Sequence, residues 1–187
     1  MVLLTKADIA QRQLDVAISL YFDSGDLVSA WTLGAAAYNV LRDIRKTRPE
    51  ISPMLLKEQL PANFESEERV ALVQKIQKVE NFLKHADKDP HDSIDFNPIG
   101  QIELLLFDAS LKFLEIFGFE TVNMALIRMW FLAAFKIEHD EDPHFTDWLD
   151  SIRRLANEHP GQYRARLWPE AERIANQSRR AGSRLPS

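Results

Sequence analysis

The sequence predicts an all-α protein: an up-and-down bundle of about five core helices followed by a C-terminal helical extension. Apolar residues recur at helical spacing along most of the 187 residues, and no stretch keeps the apolar–polar alternation of a strand for long. Glycines number only six, and most glycines and prolines stand between the apolar runs, where they end helices.

The first two helices are predicted over about 6–23, opening near Thr5, and over about 27–46. The spacing of the second helix puts five residues on or near one face: Trp31, Gly34, Ala35, Tyr38 and Leu41. The run Gly34-Ala-Ala-Ala-Tyr38 in the second helix consists mostly of small residues, which would let a neighbouring helix approach closely. Three prolines then break the helical pattern, so residues 47–64 are predicted to form a connection.

The third helix is predicted to begin at Ser66, a favourable N-cap residue. Its apolar positions form one stripe: Val70, Val73, Ile76, Val79 and Leu83. The fourth spans about 98–117 and ends at Gly118, and the fifth spans about 120–138. Because so few residues join the fourth and fifth helices, we expect them to form an antiparallel pair.

This pairing leads to a specific expectation for two charged residues in apolar sequence. Asp108 lies ten residues before Gly118, and Arg128 lies ten residues after it. In a helical hairpin the two stand at about the same level on facing helices. A lone buried charge is very unfavourable, so the sequence predicts an internal ion pair between them.

Two more helices are predicted, over about 144–157 and over about 163–181, the latter interrupted near Pro169. The sequence therefore indicates a helical bundle domain over 1–158, and a basic C-terminal helix with a disordered tail over 159–187.

Charge is unevenly distributed along the chain. Of the net charge of −5, residues 151–187 contribute +5 through eight arginines and three glutamates, which leaves −10 for residues 1–150. The acidic body argues against nonspecific nucleic-acid binding over the whole surface. The arginine-rich tail could bind RNA phosphates or an acidic protein partner, or it could be an ordinary solvated helix.

The setting predicted for the chain is the cytoplasm, without a membrane span. There is no cysteine, which excludes disulfides and thiolate chemistry, and the N-terminus turns polar after four residues. The most apolar run, 122–137, is too short and too charged to cross a bilayer.

Two acidic loops contain the most chemically suggestive residues. The segments His85-Ala-Asp-Lys-Asp-Pro-His91 and His139-Asp-Glu-Asp-Pro-His144 each follow an odd-numbered predicted helix, so they are expected at the same end of the bundle. Histidines and carboxylates suit a divalent metal ion, although Asp-Pro pairs also occur in ordinary solvated turns. The candidate metal ligands are His85, Asp87, Asp89, His91, His139, Asp142 and His144.

The end of the third helix, Val79-Glu-Asn-Phe-Leu-Lys-His85, resembles the HEPN superfamily of small all-α proteins, which are common in bacteria. Their motif is an arginine, four to six residues and a histidine, often written Arg-Asn-x-x-Lys-His. Asn81, Lys84 and His85 match this wording, and a looser similarity extends over residues 8–115. The resemblance implies a homodimer in which two motifs meet and cut RNA without a metal.

The chain departs from this motif at the arginine. Counting back from His85, the arginine position holds Glu80, Val79 or Lys78, depending on the spacing. The resemblance therefore implies a noncatalytic, dimerising interaction or nucleotide/RNA-binding module without a cofactor, whereas Asn81 to His85 could also simply end a helix. Two alternatives leave enzyme activity open: a metal-independent ribonuclease using Lys78, Asn81 and His85, and a metal-binding enzyme using the acidic loops.

Overall fold

The computed structural model of the protein describes residues 3–62, 65–84, 91–98, 100–134, 147, 150–154 and 162–182. Within these ranges the fold is all-α, as the sequence predicts, and contains no strand. The longer helices are α1 (Lys6–Ser19), α2 (Leu27–Lys46), α3 (Ser66–Lys84), α4 (Gln101–Phe117), α5 (Val122–Ala134) and α6 (Tyr163–Gly182). Two π-helical turns accompany them: π1 (Leu20–Ser24) extends α1, and π2 (Leu55–Gln59) leads into the short helical turn Leu60–Ala62.

Local side chains and one glycine set the first helix boundaries. Thr5 and Asp8 form a capping box at the start of α1: the Asp8 amide donates to the Thr5 hydroxyl at 3.1 Å, and the Thr5 amide donates to the Asp8 carboxylate at 2.8 Å. Asp26 caps α2 by accepting from the Ser29 amide at 3.1 Å. Gly25, with φ of 67°, makes the left-handed turn between π1 and α2.

The main core is enclosed by α1, α2, α4 and α5, with α3 packed on α2. The small-residue run of α2 lies at its centre. A Cβ atom placed on Gly34 would be 2.8 Å from a methyl group of Leu106 and 3.9 Å from the Cβ of Ala17. The missing side chain therefore allows α2 to approach α4 closely, whereas the distance to α1 would suit an ordinary contact.

A second apolar cluster joins α5 to α6. Tyr163, Leu167 and Ala171 recur every four residues and bury one face of α6. They pack against Ala125, Leu126 and Met129 on the side of α5 that faces away from α4. The division of the chain into 1–158 and 159–187 stays a prediction, but the C-terminal helix is packed onto the bundle.

The predicted ion pair between Asp108 and Arg128 is wrong. Asp108 is fully buried and accepts a hydrogen bond from the Leu56 amide at 2.9 Å, whereas Arg128 lies 3.2 Å from the carboxylate of Glu120. The connection after α2 folds back over α4 and offers Asp108 a backbone donor. Glu120 is only 1% exposed, and a buried carboxylate is unfavourable without a cation beside it. Arg128, on the helix that follows Glu120, provides that cation.

The predicted interruption of the last helix near Pro169 is also wrong, because α6 runs through this residue without a break. Pro169 is exposed, so the carbonyl group that loses its helical donor lies on the solvent side. The sixth predicted helix, 144–157, lies partly outside the described residues. Within that span, residues 150–154 are described and form a short helix. No described helix combines the length and apolar character needed to cross a bilayer.

Candidate functional site

The C-terminal half of α3 holds the residues that resemble the HEPN motif. Lys78 and Asn81 are both exposed, and their spacing of three residues makes them neighbours on the outer face of α3. The structure therefore brings two of the three predicted catalytic residues together. His85 lies outside the described residues, so its position relative to them stays a prediction.

Glu80, at one of the arginine positions of the motif, points to the opposite side of α3, towards α2 and the connection. Its carboxylate accepts hydrogen bonds from the Asn39 amide at 2.6 Å and from the Lys84 ammonium at 2.7 Å. It also accepts a short hydrogen bond from Lys57, whose ammonium lies 3.3 Å from the Asn39 carbonyl oxygen. One carboxylate thus binds three donors from three separate segments.

Each donor is positioned by the element that carries it. Asn39 lies one turn before Arg42 on α2, and Lys84 lies one turn after Glu80 on α3. Lys57 is held by the connection, since its backbone amide donates to the Tyr38 hydroxyl at 3.1 Å. Its ammonium lies 5.3 Å from the centre of the Tyr38 ring, which adds a cation–π contact.

The cluster contains more positive than negative charge. Arg42 lies close enough for its charge to act on Lys57, and its Nε atom is buried without a hydrogen-bond partner among the described residues. The Asp43 carboxylate, 3.8 Å from Arg42, already accepts a hydrogen bond from Lys46. We name Asn39, Arg42, Lys57, Glu80 and Lys84 the α2–α3 cluster; it holds three cations and one carboxylate.

Electrostatics in the α2–α3 cluster favour the ionised form of Glu80 and disfavour that of Lys57. Burial would raise the pKa of Glu80, but the hydrogen bonds from Lys57 and Lys84, the charge of Lys57 and the Asn39 amide outweigh it and hold the pKa at about 2. Burial lowers the pKa of Lys57, against the effect of Glu80, and the charges of Arg42 and Lys84 lower it further. An added anion would relieve the repulsion among these cations.

The proposed metal ligands lie almost entirely outside the described residues. Only His91 among the seven is described, and it is exposed. Within the described part of the chain, no group of three or more histidine, aspartate or glutamate side chains is placed to hold a metal ion. A metal site built from the two acidic loops therefore stays a prediction.

Sequence reasoning missed Asn39, Arg42 and Lys57 as partners of the motif helix. The polar pair Asn39 and Arg42, one turn apart on a helix of small and apolar residues, was a weak signal of a second polar face. Nothing in the sequence places Lys57 beside Glu80, because that contact depends on how the connection folds back. Comparisons of the chain with family models, curated proteins and solved structures found no match.

Proposed function

We propose that this protein is a noncatalytic helical module that binds RNA through its phosphate backbone at the α2–α3 cluster. The observation that carries the proposal is the convergence of Lys57 and Lys84 on the single carboxylate of Glu80, with Arg42 close enough for its charge to act on Lys57. The surplus positive charge lies at the rim of the cluster, where the side chains of Arg42 and Lys84 are about one-third exposed. Phosphate oxygens are the acceptors that such groups bind best.

The neighbouring surface supports binding rather than cleavage. Lys78 and Asn81 are exposed on the outer face of α3, on the other side of the helix from Glu80. Glu80 occupies an arginine position of the HEPN motif and is already bonded to Lys57 and Lys84. A carboxylate at that position would repel the phosphate that an arginine would stabilise. The homodimer expected from the HEPN resemblance is part of the proposal.

The test is binding of a fluorescently labelled, mixed-sequence single-stranded RNA, measured by anisotropy in EDTA over a range of salt concentrations. We expect the double variant Arg42→Gln/Lys84→Gln to weaken binding at least about tenfold at low salt, and to flatten the salt dependence, because two phosphate contacts are lost. Lys57 is left unchanged, since it is largely buried and supports the fold.

Arg173→Gln is the matched control, because Arg173 is an exposed arginine on α6 paired with Glu170. Absence of RNA binding would contradict the proposal. An equal loss in this control would also contradict it, and would favour the arginine-rich C-terminal segment as the binding site. Gel analysis of the same RNA separates the alternatives. Cleavage by the wild-type protein that disappears in His85→Ala would establish the ribonuclease.

A further inference from the structure

A groove of about 460 Å³ lies between π1 and α6, on a different part of the protein from the α2–α3 cluster. Its lining consists of Phe22, Asp23, Arg164, Ala165 and Trp168. A volume of this size lies within the range of pockets that bind small molecules, roughly 300–1,000 Å³. The lining combines aromatic rings with a hydrogen-bond donor, Arg164, and an acceptor, Asp23.

An ion pair provides the polar groups of this groove. Arg164 forms a short, charge-assisted hydrogen bond with the Asp23 carboxylate, and it donates to the Asn123 side-chain carbonyl at 3.1 Å. Asp23 is 56% exposed, so its carboxylate keeps lone pairs available to a ligand. Because one carboxylate and one guanidinium line the groove, their charges cancel, and a neutral ligand can contact both without separating them.

The interior proline of α6 removes one helical hydrogen bond at a residue that lines the groove. Pro169 has no amide hydrogen, so the carbonyl group of Ala165, four residues earlier, lacks its usual helical hydrogen bond. Ala165 is exposed and lines the groove. Donors on a ligand are thus favoured at Asp23, and acceptors are favoured at Arg164.

The apolar walls are planar and held in place. The Arg164 guanidinium lies over the Trp168 ring, 5.0 Å from its centre. The Phe22 ring is stacked on Tyr163 with ring centres 6.3 Å apart, and Trp130 meets it edge-on at 6.1 Å. Such surfaces favour a flat, rigid ligand, since ring stacking provides contact area with little loss of conformational freedom.

We propose that this groove binds a neutral planar heterocycle with hydrogen-bond donors and acceptors along its edge, which is the chemistry of a nucleobase. The ring stacks against the aromatic wall, and its edge bonds to Asp23 and Arg164. The proposal is independent of RNA-backbone binding at the α2–α3 cluster, because the two sites share no residue and recognise different parts of a nucleotide.

The experiment uses nucleosides, which carry a base but no phosphate. Adenosine, guanosine, cytidine and uridine are titrated separately into the full-length protein by isothermal calorimetry. We expect at least one of them to bind with a Kd below about 1 mM. Ala165→Phe should fill the groove and weaken that binding at least about tenfold, and Arg164→Gln should weaken it through the loss of hydrogen bonds.

Ala181→Phe is the matched control, because Ala181 is also an exposed alanine of α6 but does not line the groove. It should leave the Kd unchanged within about twofold. Circular dichroism confirms that each variant is folded, and Arg164→Gln serves as the test if Ala165→Phe is not. Absence of binding by all four nucleosides, or binding insensitive to both groove variants, would overturn the proposal without affecting RNA binding at the α2–α3 cluster.

Discussion

At the scale of single residues, Asp108 and Glu80 show two outcomes for a carboxylate removed from water. Burial raises the pKa of Asp108, against the hydrogen bond from the Leu56 amide. One oxygen of Asp108 is buried without a hydrogen-bond partner among the described residues. Glu80 instead has donors on both oxygens, and its pKa falls to about 2. The number of donors, rather than burial alone, therefore decides which carboxylate is ionised more readily.

Glu80 should make stability depend on pH in the acid range. Its pKa is lower in the folded protein, about 2, than its ordinary value of 4.5, so its ionised form stabilises the fold above about pH 4.5. This contribution should disappear as the pH falls towards 2. We expect Glu80→Gln to lower the free energy of unfolding by roughly 2–3 kcal/mol at neutral pH. Chemical denaturation at several pH values measures the difference.

The difference between the wild-type protein and Glu80→Gln should close as the pH is lowered, which distinguishes a charge effect from a packing effect. Glu172→Gln, an exposed change on α6, should alter stability by less than about 0.5 kcal/mol at every pH. A loss in Glu80→Gln that stays constant down to pH 2 would show that the charge of Glu80 does not stabilise the fold.

At the scale of the helices, the close approach of α2 to α4 depends on Gly34. Leu106, which a Cβ atom at this position would meet at 2.8 Å, is fully buried. Glycine is a poor residue for a helix interior, since alanine is better by about 1 kcal/mol. Its presence in the middle of α2 therefore indicates that packing outweighs helix propensity here.

We expect Gly34→Ala to destabilise the protein by about 1 kcal/mol in spite of its better helix propensity. Crowding a packed core costs about 1–3 kcal/mol, and the middle of this range exceeds the gain of about 1 kcal/mol in propensity. Thermal or chemical denaturation provides the measurement. A stabilised Gly34→Ala variant would mean that Leu106 moves aside freely.

Leu106→Val provides the control for this steric argument. Shortening the side chain removes the end that meets the added methyl group, so Gly34→Ala should be better tolerated in the Leu106→Val background. The double-mutant cycle should give a favourable coupling energy of at least about 0.5 kcal/mol. Simple additivity would mean that the two residues do not compete for the same space.

At the scale of the whole molecule, α5 joins two apolar clusters. Its inner face belongs to the core with α1, α2 and α4, and its outer face packs against α6. Hydrogen bonds reinforce the second contact, since the Ser178 hydroxyl accepts from the Glu120 amide at 3.1 Å. This arrangement predicts that α6 unfolds together with the bundle.

Leu167→Ala tests this prediction. Leu167 is 4% exposed and lies in the second cluster, so its truncation should lower the free energy of unfolding by roughly 2–5 kcal/mol. Circular dichroism and tryptophan fluorescence should follow one shared transition. Arg166→Ala, an exposed neighbour, should have little effect. Loss of α6 alone, with an unchanged main transition, would instead support the division of the chain at residue 158.

The helical spacing of apolar residues, together with the capping, glycine and proline residues between them, was sufficient to predict the helices. The predicted span of α2, 27–46, agrees with its bounds in the structure, and the buried positions of α2 were identified from their spacing: Trp31, Gly34, Ala35, Tyr38 and Leu41. The stripe of α3 is confirmed at Ile76, whereas Val70 in the same stripe is 54% exposed. These features depend on local chemistry, which each segment carries by itself.

The partners of the charged residues were decided by the tertiary structure alone. The HEPN resemblance put Glu80 at one possible arginine position of the motif, and in the structure its carboxylate binds Lys57 from a connection whose path the sequence does not specify. Arg128 pairs with Glu120 rather than Asp108, because Asp108 already accepts a hydrogen bond from the Leu56 amide on the connection that folds back over α4. Helix formation follows from neighbours along the chain, so the sequence by itself determined the all-α class. Charge pairing and the groove beside Arg164 depend on which segments meet in space, and that is set only when the whole chain packs.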